Sequence, residues 1–202
     1  MSAVGRRPFV GAALLGAALV LTACGGQPAG SAATIGDSRI TEQALTTEVQ
    51  AALAAQGLPV DTADAALTAK LLGRMIVVDL VNTVAAREGV AVSQGRIDEQ
   101  VASYVAQAGD HAAMEQTFAD QGVAPSQIEG VIRLNIQAGD LGVKLDPAGT
   151  VEQQGEAVFN AITALSGELG VTASPRFGTW DAQTLQIGPT PDDLAILPSF
   201  EQ

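Results

Sequence analysis

The side chains able to do chemistry are few and far apart. Cys24 is the one cysteine, His111 the one histidine and Trp180 the one tryptophan. His111 has no cysteine or second histidine near it, so a metal site or a histidine-based triad lacks its parts. It follows Asp110 at an expected helix start and reads as a solvated surface residue. No G-x-S-x-G, phosphate-loop or dinucleotide glycine pattern occurs; Gly25, Gly26 and Gly30 do not lie between a strand and a helix. Asp98 and Glu99 point to different faces of a helix and read as solvated carboxylates, not a general acid–base pair. Asp79 is the carboxylate to watch, because apolar residues surround it from Met75 to Val81. A partner among Arg74, Arg87 and Arg133 is expected for it, with a functional role as the alternative. Ser174–Asp181 (SPRFGTWD) collects Arg176, Phe177 and Trp180 in a chain that is only 3% aromatic. Such a cluster is either a ligand site or a structural staple. No cofactor and no metal are called for, and the chain reads as a non-enzyme.

Cys24 sits where a different chemistry operates. Arg6 and Arg7 precede an apolar run from Phe9 to Leu21, and Leu21-Thr22-Ala23-Cys24-Gly25-Gly26 follows. The run is short for a permanent bilayer helix, and small residues close it, as in an export signal. L-T-A-C resembles the lipobox of bacterial lipoproteins. That resemblance implies that residues 1–23 are a removed signal peptide and that the Cys24 thiol carries a diacylglyceryl group. It also implies a protein held by lipid at the outer, extracytoplasmic face of the cytoplasmic membrane. An ordinary secretory peptide with a chance cysteine is the alternative. Two acyl chains suffice for stable attachment. Loss of Arg6 and Arg7 would change the formal charge from −12 to −14. A surface that acidic repels phosphate backbones, which excludes nucleic acid as an expected partner.

The elements that must position these residues are mostly helices. The 202 residues are 47% hydrophobic, much of it alanine, which favours helix over sheet within one well-filled domain. Residues 24–33 (ending GGQPAGSAA) read as a flexible tether, 34–187 as the folded domain and 188–202 as a loose tail with Pro189, Pro191, Pro198, Asp192 and Asp193. Thr34–Ile40 reads as a hairpin-like extended pair around Gly36-Asp37. Thr41 caps a first helix carrying Leu45, Val49 and Leu53. Asp61 or Thr62 opens a long second helix to about Glu88, expected to be the most buried. Ser93 and Asp110 open the third and fourth, Pro125 the fifth, and Thr150 with Gln153 the sixth. Val171–Ala173 and Gly178–Ile187 read as extended.

That order is similar to the N-terminal chaperone domain of SurA, PrsA-like foldases and trigger-factor relatives. AATIGDSRIT resembles their opening strand, RMIVVDLVNTVAAREGVAVSQGRIDEQV their long helix and connector, and FADQGVAPSQIEGVIRLNI their step into the last long helix. SPRFGTWD resembles the C-terminal strand of lipoprotein members. The likeness covers about Ala33 to Leu145. In two-domain foldases a parvulin isomerase stands between the last two long helices, but only DPAG separates Leu145 from Thr150. AGDLG (Ala138–Gly142) is close to a parvulin fragment, yet helical periodicity runs through it and Val143 and Lys144 replace the aromatics.

The resemblance implies a mainly α fold of about six helices, with a small β element pairing the two extended ends. It implies an ATP-independent chaperone or holdase for unfolded or extended exported polypeptides, without prolyl isomerase activity. An apolar wall of Leu72, Met75, Ile76, Leu80, Tyr104, Met114 and Phe118 is the candidate client surface; each is otherwise core. The alternative is a non-enzymatic envelope lipoprotein that binds one specific partner or scaffolds an assembly. Oligomeric state is left open. For SPRFGTWD the staple is favoured: Val171–Trp180 would pair with Ala33–Ile40, and Arg176 would neutralise a nearby carboxylate. Lipidation has a direct check. Cys24→Ala is expected to move the protein from the membrane to the soluble fraction, and unchanged fractionation rejects Cys24 as the anchor.

Overall fold

The computed structural model describes residues 29–190. Residues 1–28, with Cys24 and the expected export segment, and 191–202, most of the expected tail, lie outside the described residues. The chain enters as strand β1 (Ser31–Ile35), turns at Gly36-Asp37 and returns as β2 (Ser38–Thr41). Antiparallel register pairs Ile35 with Ser38, Thr34 with Arg39 and Ala33 with Ile40. Ser31, Ala32 and Ala33 are buried. This corrects the expected tether at 24–33, whose last three residues belong to the domain. Small side chains with no alternation hide a strand in the sequence, yet they are what lets its backbone lie close beneath helices.

Thr41 caps α1 (Glu42–Ala55) through Oγ1, which accepts from the Ala44 N–H at 3.1 Å. The long helix α2 (Ala65–Glu88) starts a little later than expected, because the cap is the Asp64 carboxylate, accepting from Leu67 N–H at 2.7 Å. Helix α3 (Gln94–Ala108) follows Ser93, whose hydroxyl makes no capping bond. Asp110 caps α4 (His111–Ala119) on the Ala113 N–H at 2.8 Å. A 3-10 turn at Pro125–Gln127 leads into α5 (Ile128–Leu145), and the reciprocal Thr150–Gln153 box opens α6 (Val151–Leu169). Caps of this kind are each worth about 1 kcal/mol. The AGDLG string lies within the continuous α5 helix.

Helix α2 is the spine. Leu72, Ile76 and Leu80 are fully buried, and α1, α5, α6 and β1 all pack on it. Burying three such side chains contributes on the order of 1.5–3 kcal/mol each. A second, smaller apolar cluster forms where α3, α4 and the start of α5 meet, around Ile97, Met114, Val123, Ile128 and Ile132.

After α6 the chain returns to its beginning. Strand β3 (Thr172–Ala173) pairs antiparallel with β1, giving the order β2-β1-β3 and joining the N- and C-terminal extended segments. The Thr34 and Thr172 hydroxyls are 2.7 Å apart, and Ser174 N–H donates to the Ala32 carbonyl at 2.8 Å. The fold is thus mainly α with a small antiparallel sheet. Pairing ends there, not at Trp180 as expected. Pro175 has no N–H to donate, and Pro175–Phe177 winds into a 3-10 turn. Strand β4 (Trp180–Asp181) pairs instead with β5 (Gln186–Ile187) as a separate hairpin.

The residues of SPRFGTWD are nonetheless tied to the core. Phe177 and Trp180 pack on the main cluster. The Trp180 indole N–H donates to Ser166 Oγ at 2.8 Å, and Arg176 Nη1 donates to Glu42 Oε2 at 2.8 Å while lying 4.9 Å from the Phe177 ring centre. Ser166 is 2% exposed, so its hydroxyl has little access to solvent once the indole is gone. Trp180→Phe keeps most of the burial and removes this bond; it is expected to cost about 1–3 kcal/mol in urea unfolding followed by circular dichroism. In a double-mutant cycle, Ser166→Ala should recover part of that loss, and strict additivity contradicts the pairing.

Candidate functional site

The β4–β5 hairpin does not close flat onto α2. Between them runs a groove of about 790 Å³. On the helix side it is bounded by Ala66, Ala69, Gly73 and Val77, and on the other by Phe177, Leu185 and Ile187. Small side chains on α2 create the space. A Cβ placed on Gly73 would lie 3.7 Å from the Ile187 nitrogen, so the hairpin already touches the helix there. The groove's two charged side chains are both basic, Lys70 and Arg74. Gly188, Pro189 and Thr190 line its end, where the described chain stops.

Backbone geometry sets the hairpin's position. Gly178 has φ 118° and a Cβ there would lie 2.2 Å from the Gly188 carbonyl oxygen, so only glycine fits. Gly188 N–H donates to Thr179 O at 2.7 Å across this contact. Leu185 is the one non-glycine residue with positive φ among the described residues, at 53°. A leucine in that region costs on the order of 1–3 kcal/mol, offset here by packing of its side chain against the main core. Asp181 folds the connecting turn: its Oδ1 accepts from the Gln183 N–H at 2.8 Å. That backbone bond, with the Thr184 hydroxyl, holds the Asp181 carboxyl below the ordinary carboxylate range.

A smaller polar niche of about 340 Å³ shares Arg74 and Val78 with the groove. In it Glu48 is held by both Arg74 and Gln127. Asp79 accepts from the Ser38 hydroxyl at 3.0 Å. This corrects the expectation of an arginine partner for Asp79. Arg74 is taken by Glu48, Arg87 makes a two-bond fork with Glu168 at 2.8 and 3.0 Å, and Arg133 donates to Gln94 at 3.1 Å. The Arg87–Glu168 fork raises the pKa of the guanidinium and lowers that of the carboxyl.

The expected client wall is not one surface. Leu72, Ile76 and Leu80 are fully buried in the main core, because α1, α5 and α6 pack against α2. Met75 is half-buried and lines the polar niche. Met114 is buried in the second cluster, where Tyr104 and Phe118 meet edge to face at 5.6 Å between ring centres. The structure brings none of the seven into the groove. His111 is exposed, with Nδ1 3.4 Å from Glu115 Oε1 one helical turn on. Cys24 lies outside the described residues.

The groove residues carry a sequence signal of their own. Ala65, Ala69, Gly73 and Val77 recur every four residues along α2. Reading only large apolar residues passes over such a face, since small ones announce a space rather than a contact. Among the described residues no cluster of three or more His, Cys, Asp and Glu is placed to hold a metal, and no helix is long and apolar enough to cross a membrane. No carboxylate, imidazole or thiol lines the groove, which is suited to holding a chain by apolar contact. No family model, curated protein or solved structure matches this chain.

The Asp181 turn gives the groove wall a pH dependence with a definite sign. A carboxyl whose native pKa is lowered contributes stability that is complete above its unfolded value of roughly 4 and is lost as pH falls through the native one. Trp180, one residue away, reports it. A red shift of tryptophan emission is expected on acidification below about pH 4. Asp181→Asn keeps the turn's acceptor but removes the titration and should flatten that profile; an identical acid transition in the variant assigns the effect elsewhere.

Proposed function

We propose that this protein is a lipid-tethered, extracytoplasmic polypeptide-binding module of the ATP-independent chaperone type, which holds short extended apolar segments in the α2–hairpin groove. The observation that carries this reading is the groove itself. It is apolar, open to solvent, walled on one side by a rigid buried helix, and within the roughly 300–1,000 Å³ range of ligand sites. The motif order similar to the SurA-type chaperone domain supports the same assignment, as does the short Asp146–Thr150 link between α5 and α6, which leaves no insertion at the isomerase position. The lipid on Cys24 would keep the groove at the membrane face where exported chains emerge.

A second reading is favoured by one observation. The large apolar side chains that are exposed outside the groove, such as Leu58, Val60, Val143 and Val151, do not line it and offer no broad second platform. A holdase for many clients profits from wide apolar surface, whereas one narrow groove suits one dedicated partner segment.

Ala69→Leu fills the groove from the helix side while leaving the buried face of α2 unchanged. It is expected to weaken binding of a labelled apolar peptide at least tenfold by fluorescence anisotropy, with thermal unfolding altered by under about 0.5 kcal/mol. Unaltered peptide affinity in this variant removes the groove as the binding site. Suppression of aggregation of several unrelated unfolded proteins separates the general chaperone from the dedicated binder, which should protect none of them.

A further inference from the structure

We propose that the occupant of the groove in the resting protein is the chain's own segment from Pro191 onward, with Asp192 and Asp193 against Lys70 and the apolar residues Leu194, Ile196 and Leu197 against the α2 face. This goes beyond the client-binding reading and stands on the groove alone. Three observations converge on it. The described chain ends at Thr190 while still lining the groove, so the next residue is delivered to it with no intervening linker. The segment that follows, PDDLAILPSF, places two carboxylates immediately before an apolar run. The groove presents complementary chemistry: an apolar channel beside two basic side chains, in a protein whose net charge is −12. Arg74 is already paired with Glu48, but among the described residues Lys70 has no ion-pair or hydrogen-bond partner. Lys70 is therefore the charge available to an incoming carboxylate.

Tethering makes even weak affinity sufficient. Joined directly at Thr190, the segment sees the groove at an effective concentration on the order of millimolar, so an intrinsic dissociation constant of ~100 µM keeps about nine grooves in ten filled. Pro189, Pro191 and Pro198 lower the conformational entropy that binding must remove. A client then has to compete with this segment, which sets a threshold affinity below which exported chains are not retained.

The test is a proximity measurement in the intact chain. With Cys24→Ala removing the native thiol, Ala195→Cys is combined either with Ala69→Cys in the groove or with Val143→Cys on exposed α5, and cross-linked by a short bis-maleimide. The expected result is an intramolecular product for the Ala69 pair at several times the yield of the Val143 pair. Lys70→Glu should reduce that yield severalfold, and adding Asp192→Lys with Asp193→Lys should restore it. Equal yields at the two positions, or no product, overturn the proposal. A cross-linked dimer as the main product also overturns it, because the occupant is then a second copy. Unaltered client-peptide affinity in Ala69→Leu would remove the client reading while the Ala69–Ala195 cross-link yield still decides this one, so the two readings fail separately.

Discussion

Everything on the C-terminal side of this protein depends on the burial of β1. Ser31–Ile35 is hydrogen-bonded along both edges, to β2 and to β3, and lies against α2. A five-residue strand of mostly small side chains (SAATI) contributes little apolar area of its own. Its value is topological: it gives the chain leaving α6 an edge to join, which brings residue 173 beside residue 33. The direction in which the remaining chain leaves is then set. Pro175 ends the ladder, the 3-10 turn redirects the backbone over α2, and the Ser166–Trp180 bond pins the start of the hairpin whose far strand walls the groove.

The two faces of α2 differ in what covers them. Its large side chains face other helices and are fully enclosed, whereas its small ones face a two-stranded hairpin that cannot cover them completely. Stability is carried by the first face. The hairpin adds only two-residue strands and is held by the Asp181 turn, the Trp180–Ser166 bond, the Gly188–Thr179 backbone bond and the packing of Trp180, Leu185 and Ile187 on the main cluster.

What the sequence made legible was local chemistry with short reach. Thr41, Asp110 and the Thr150–Gln153 pair act within three residues of themselves, so their roles as caps survive any tertiary arrangement. The long α2 helix was legible for the same reason, as a periodic apolar run. Non-local pairing was not. Asp79 has three arginines within sequence reach, and the fold gives each of them another partner and gives Asp79 a serine from β2. The apolar wall failed similarly: periodicity identifies a face that is covered, and only packing decides whether a helix or a ligand covers it. The Ala65-Ala69-Gly73-Val77 row is the converse case, a signal present in the sequence whose meaning depends on the hairpin opposite.

Charge deepens the same division. The protein is acidic, and four of its arginines are paired with carboxylates: Arg74 with Glu48, Arg87 with Glu168, Arg96 with Asp140 and Arg176 with Glu42. Exposed pairs of this type contribute little net stability. Their effect is subtraction: of the two cations lining the groove, Arg74 is paired and Lys70 has no partner among the described residues. The local charge beside the groove therefore differs in sign from the net charge of the whole chain.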